Sequence, residues 1–111
     1  MLDNMATQRY ASLFDLPETG KYCFHEIDLT SDNFSHLIQG ASAVIHLAAL
    51  TDATGSFGRR KTVETKNLAV TRAVAEACTT NQVPLIFPSS TSVYGTSKAR
   101  IDEDCSPQEL Q

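Results

Sequence analysis

Apolar positions along this chain change period several times, and each change marks an element. Residues 4–16 carry Met5, Ala6, Tyr10, Leu13 and Phe14 at helix-like spacing, and Pro17 and Gly20 stop the run. Residues 21–27 alternate as a strand does, and Asp28 stands at that strand's carboxyl end. Ser31 and Asp32 offer caps for a short helix in which Phe34, Leu37 and Ile38 share a face, with Gly40 as its stop. Residues 43–47 form a continuous apolar run broken only by His46, which suits a strand covered on both faces. Residues 51–57 read as loop. A long helix is expected from about 58 to 80. Val63, Val70, Val74 and Ala77 fall on one face of it, and Asn67 falls on that same face. Residues 83–87 make the next buried strand, closed by Pro88, because a proline inside would remove a ladder bond.

Strand and helix therefore alternate, which implies an α/β domain with parallel strands and right-handed crossovers. Ligands in such domains sit at the carboxyl ends of the strands. Four hydroxyl side chains, Ser89, Ser90, Thr91 and Ser92, follow the strand that ends at Phe87, and Val93-Tyr94-Gly95 comes next. Hydroxyls at a strand end can bond a reacting oxygen or relay a proton.

The string Ser89-Ser90-Thr91-Ser92-Val93-Tyr94-Gly95 resembles the Ser-Ser-x-x-Val-Tyr-Gly segment of extended short-chain dehydrogenase/reductases, the NAD-dependent epimerase/dehydratase family. Other segments fit the same register. Leu2-Asp3-Asn4 is similar to the end of that family's second strand. Glu26-Ile27-Asp28-Leu29-Thr30 is similar to the end of its third. Residues 44–49 resemble its fourth strand and the turn after it. Asn67-Leu68-Ala69-Val70-Thr71 stands where the family has Asn-x-x-Gly-Thr, with Val70 in place of the Gly. The family's Gly-x-x-Gly-x-x-Gly turn has no counterpart here, and its catalytic Tyr-x-x-x-Lys helix is expected beyond this span.

The resemblance implies an internal fragment of a Rossmann-type, doubly wound parallel sheet, holding strands three, four and five of the parent. Residues 1–95 would be a partial dinucleotide-binding domain and 96–111 a polar tail leading onward. The family's sheet order is 3-2-1-4-5, so strand one and nearly all of strand two would be missing between strands three and four, leaving a gap. It further implies an NAD(P)-dependent epimerase-like oxidoreductase, with a nucleotide sugar as substrate and NAD as cofactor, NADP remaining open because Arg9 is near. Thr91 and Ser92 stand where dehydratase members carry an Asp-Glu pair, which favours epimerisation or simple dehydrogenation.

The resemblance assigns roles by position. Ser90 aligns with the catalytic Ser/Thr that bonds the substrate oxygen. Asp3 would accept ribose hydroxyls and repel a 2′-phosphate. Asp28 and Leu29 would bracket the adenine. Leu47, Ala48 and Ala49 would let the backbone approach the cofactor closely, and Asn67 would hold the cofactor-proximal loop. Tyr94 and Lys98 match Tyr-x-x-x-Lys by spacing, yet Gly95 follows the Tyr directly and no apolar helix surrounds the pair. They read as a decoy. His46, inside an apolar strand, reads as a satisfied core residue.

Composition changes little in this picture. The net charge of −4, with Arg59-Arg60-Lys61 as the one basic cluster, argues against a nucleic-acid partner. Three cysteines without Cys-x-x-Cys spacing suit reduced thiols in the cytoplasm, and no metal site is expected. No apolar stretch is long enough to span a bilayer, so no membrane contact is expected. Unpaired strand edges would favour a homo-oligomer. A second class remains compatible with the same residues, a non-enzymatic dinucleotide-sensing or interaction protein.

Overall fold

The computed structural model describes residues 1–50 and 60–89. Among the described residues, four short strands, two 3-10 turns and one long helix alternate. Strand β1 (Leu2–Asp3) pairs in parallel with β2 (His25–Glu26), and β3 (Val44–Ile45) pairs in parallel with β4 (Leu85–Ile86). Helix α1 (Arg60–Asn81) joins β3 to β4. The parallel α/β order expected from the sequence is present.

The two strand pairs do not hydrogen-bond to each other. Val44 and His46 donate their backbone N–H groups to Pro84 and Ile86. By the alternation of a ladder, the N–H groups of Ile45 and Leu47 turn toward the opposite edge of β3, where no described strand pairs. On the other pair, His25 and Ile27 donate to the carbonyls of Met1 and Asp3, so Leu2 presents its backbone to the free edge of β1. Between these edges lies a seam of about 500 Å³, lined by Leu2, Phe34, Ile38, Val44, Ile45 and Leu47 among others.

Several elements are shorter than the apolar pattern suggests. No helix forms over residues 4–16; only a 3-10 turn at Tyr10–Leu13 does. The cause is local. The Asp3 carboxylate accepts the Met5 N–H at 2.6 Å, and the Asn4 side chain accepts the Ala6 N–H at 3.1 Å. Such bonds draw the backbone into turns instead of a helix. Met5, Gln8 and Asp15 take positive φ, which a right-handed helix does not allow. The helix expected after Ser31-Asp32 is a 3-10 turn, Ser35–Ile38, with Phe34 as N-cap and no side-chain cap bond.

The core lies between that turn and α1. Phe34, Ile38, Val74, Ala77 and Cys78 are buried together. Asn81 ties the two elements by donating to the Ser35 carbonyl at 3.2 Å and its hydroxyl at 2.8 Å. Helix α1 ends on a pair of backbone bonds. Val83 N–H reaches the Cys78 carbonyl and Gln82 N–H the Thr79 carbonyl, with Gln82 in the left-handed conformation, φ 55°. That pairing of bonds satisfies carbonyls the last turn would otherwise leave open. Val74 and Ala77 face inward as the periodicity predicts, with Val63, Asn67 and Val70 half-buried along the same face.

Coverage of β3 departs from expectation. Among the described residues only one face is packed. Val44 and His46 turn inward, while Ile45 is 62% exposed and Leu47 74% exposed. The continuous apolar run of residues 43–47 therefore reports a strand made to be covered twice but covered once by α1.

Candidate functional site

The carboxyl ends of β1, β2 and β3 converge with one flank of α1 on a cleft of about 260 Å³. Asp3, Asp28, Leu29, Ala48, Ala49 and Asn67 all line it. These are six of the seven positions for which the sequence suggested a cofactor role. Parallel strands bring them together because each strand ends at the same edge of its pair, and the chain turns there toward the next element.

Each wall is set by a short-range bond. The Asp28 carboxylate accepts the Thr30 hydroxyl at 2.6 Å and the Thr30 N–H at 2.9 Å. These bonds, the hydroxyl's first, hold the Asp28 carboxyl below its ordinary pKa, with smaller contributions from Asn4 and from the positive charge of Lys66. Asp28 is therefore an ionised acceptor throughout the neutral range. Its own N–H is accepted by the Asp32 carboxylate at 2.8 Å, which fixes the turn after β2. Asp3 commits one carboxylate oxygen to the Met5 N–H.

Asn67 sets the third wall. Its Oδ1 accepts the Leu50 N–H at 2.8 Å, and its Nδ2 donates to the Leu50 carbonyl at 3.2 Å. One side chain thus satisfies both polar groups of a single peptide residue on the segment after β3. An amide is the natural choice, since it carries donor and acceptor side by side. Ala48 and Ala49 lie on that held segment. Their small side chains leave the backbone open to the cleft.

Leu47 departs from this grouping. It lines the seam between β1 and β3 and not the strand-end cleft, because alternation along β3 turns it away from α1. Ser90, the expected catalytic residue, lies outside the described residues, as do Tyr94 and Lys98. His46 is buried at 5% exposure, with Nε2 3.1 Å from the Thr71 hydroxyl and its ring stacked on Phe87 at 5.4 Å. Burial lowers its pKa from 6.5, so it stays neutral at pH 7. It is a packed and partnered strand residue.

Sequence reasoning missed Thr30 and Lys66 as parts of the cleft. Thr30 was visible as the hydroxyl two residues past Asp28, the spacing of a side chain that closes a turn on a carboxylate. Lys66 precedes Asn67, about 100° around the helix, and only the fold shows that this flank faces Asp3 and Asp28. Among the described residues no cluster of three His, Cys, Asp or Glu side chains could hold a metal ion. No helix there is long and apolar enough to cross a membrane.

The cleft is small. At about 260 Å³ it lies just under the ~300–1,000 Å³ common for ligand pockets. It has room for one nucleoside-sized group, carboxylate acceptors for hydroxyls or an amine, and an apolar patch from Ile27, Leu29 and Val70 for a flat ring. Those residues fit the adenosine part of a nicotinamide dinucleotide.

Comparison with known proteins gives the family. The family model described as the NAD dependent epimerase/dehydratase family matches residues 3–111. A curated relative, an uncharacterized UDP-glucose epimerase from Bacillus subtilis (strain 168), is 27% identical over 93 residues, which is 82% of this chain and 29% of the relative. The chain therefore spans less than a third of that protein's length. No solved structure matches significantly. The chain belongs to the NAD-dependent epimerase/dehydratase family, whose nucleotide-binding fold is of the Rossmann-like α/β kind.

Proposed function

We propose that this member of the epimerase/dehydratase family forms the adenosine-binding part of the NAD site in a nucleotide-sugar epimerase. The observation that carries the reading is the convergence of Asp3, Asp28, Ala48, Ala49 and Asn67 on one cleft at the strand ends. Asp3, one carboxylate oxygen of which holds the Met5 N–H, would take the ribose hydroxyls, and its charge favours NAD over NADP. Asp28, held ionised by Thr30, would accept from the adenine amine while Leu29 covers the ring. Asn67 would keep Ala48 and Ala49 at the right height beside the ribose. The strand order supports placing β1 and β2 as strands two and three of the parent sheet and β3 and β4 as strands four and five.

The bound dinucleotide supplies hydride chemistry at the sugar carbon. This chain's contribution to the chemical step would be Ser90, whose hydroxyl would bond the reacting oxygen beyond the carboxyl end of β4. The relative's printed name, a UDP-glucose epimerase, supports a nucleotide sugar as the substrate class.

Turnover of the full-length protein tests the reading. Ser90→Ala should lower kcat by roughly 10²–10⁴, the usual contribution of a positioned proton-handling group, and leave cofactor affinity little changed. Lys98→Ala should leave activity nearly intact. Loss of turnover on Lys98→Ala with Ser90→Ala near wild type would instead make Tyr94 and Lys98 the working pair.

A further inference from the structure

Lys66 lines the strand-end cleft across from Asp3 and Asp28, and it is the one cation among the described residues that do so. It is exposed. Its charge reaches the opposite wall, where it adds to the lowering of the Asp28 pKa behind the Thr30 bonds. No salt bridge joins it to a described residue. The two carboxylates, by contrast, are already partly engaged, Asp3 with Met5 and Asp28 with Thr30. What remains of their capacity suits uncharged donors. An adenosine offers such donors and, for an ammonium, only neutral acceptors. A phosphorylated adenosine adds an anion.

We propose that Lys66 pairs with a phosphate carried by the adenosine in this cleft, so that the site selects an adenine nucleotide over the bare nucleoside. This rests on the adenosine reading above. The phosphate can stand at the 5′ or the 2′ position, and the same ammonium chemistry would hold either. Asp3 disfavours the 2′ position by repulsion between like charges, so the 5′-phosphate is the expected source. An ion pair at an exposed position strengthens binding only a few-fold, and salt weakens it.

Titration of the 111-residue chain, followed by amide chemical shifts, separates the possibilities. The probes are adenosine, 5′-AMP and 2′-AMP, against wild type, Lys66→Ala and Lys66→Arg. The amide spectra also show whether each variant keeps the fold. Wild type should bind 5′-AMP about threefold to fivefold more tightly than adenosine. Lys66→Ala should erase that difference while adenosine affinity stays put. Lys66→Arg should keep most of it, and about 0.5 M salt should shrink it. A Lys66-dependent gain larger for 2′-AMP than for 5′-AMP would support the pairing and make the 2′-phosphate its source. Equal affinity for all three probes, or a nucleotide preference that survives Lys66→Ala, overturns the role of Lys66 and leaves the adenosine reading standing. No binding of adenosine or either nucleotide overturns the adenosine reading, and the pairing with it.

Discussion

The cleft at the strand ends and the seam between the strand pairs differ in how they are closed. The cleft, at about 260 Å³, is bounded by side chains that bond neighbouring backbone: Asp3 to Met5, Asp28 to Thr30, Asn67 to Leu50. The seam, at about 500 Å³, is bounded mostly by apolar side chains and by strand edges that no described strand pairs. Polar groups already tied down make a wall that keeps its shape without a ligand. An apolar seam between two half-sheets has no such ties and gains only by burial. Bonded polar side chains therefore concentrate around the smaller space, and the larger one records how the sheet is divided.

Removing the bond that closes the cleft should have the largest effect on this contrast. Asn67→Ala leaves both polar groups of Leu50 without their partner and frees the segment carrying Ala48 and Ala49. Two neutral hydrogen bonds at a half-buried position put the loss of stability at about 1–2 kcal/mol. Urea denaturation should show it, and hydrogen exchange at Leu50 should speed up while Cys78 in the core stays protected. Unchanged exchange at Leu50 would mean that the wall does not depend on Asn67.

A smaller effect is expected from acid, on the seam side of α1. Burial depresses the folded-state pKa of His46 below its ordinary 6.5. The unfolded state thus binds the proton more readily, and stability falls as pH drops below about 6.5 through the lowered folded value. Above that window the imidazole is neutral in both states and the effect vanishes. Thermal melts of wild type and His46→Gln between pH 5 and 7.5 should diverge in their pH dependence only below about 6.5. Parallel slopes would remove His46 as the cause.

Much of this arrangement was legible in the residues, for reasons that can be named. The apolar stripe of α1 and the apolar runs of β3 and β4 depend on contacts each element makes along its whole length, so their period shows. Asp3, Asp28 and Asn67 were singled out by the family resemblance, and the fold brings all three to one cleft. The stretch from 4 to 16 failed because its apolar residues mimic helical spacing while Asp3 and Asn4 bond the backbone of Met5 and Ala6. Local side-chain bonds compete with a helix and leave no mark in the hydrophobic pattern. Lys66 was hidden for another reason. Nothing along the sequence says which flank of α1 faces the turns after β1 and β2. Leu47 went the other way, placed near the site by motif and turned into the seam by strand alternation.

The central claim is that the adenosine half of the cofactor belongs in the strand-end cleft. Amide shift mapping of the chain during titration with NAD tests it most directly. Affinity should be weak, with a Kd well above about 10 μM, because the described site provides a nucleoside-sized cleft and not a full dinucleotide pocket. The shifts should gather at Asp3, Asp28, Leu29, Ala48, Ala49 and Asn67. Shifts confined to Leu2, Ile45 and Leu47 along the seam, or none at millimolar NAD, would contradict the account.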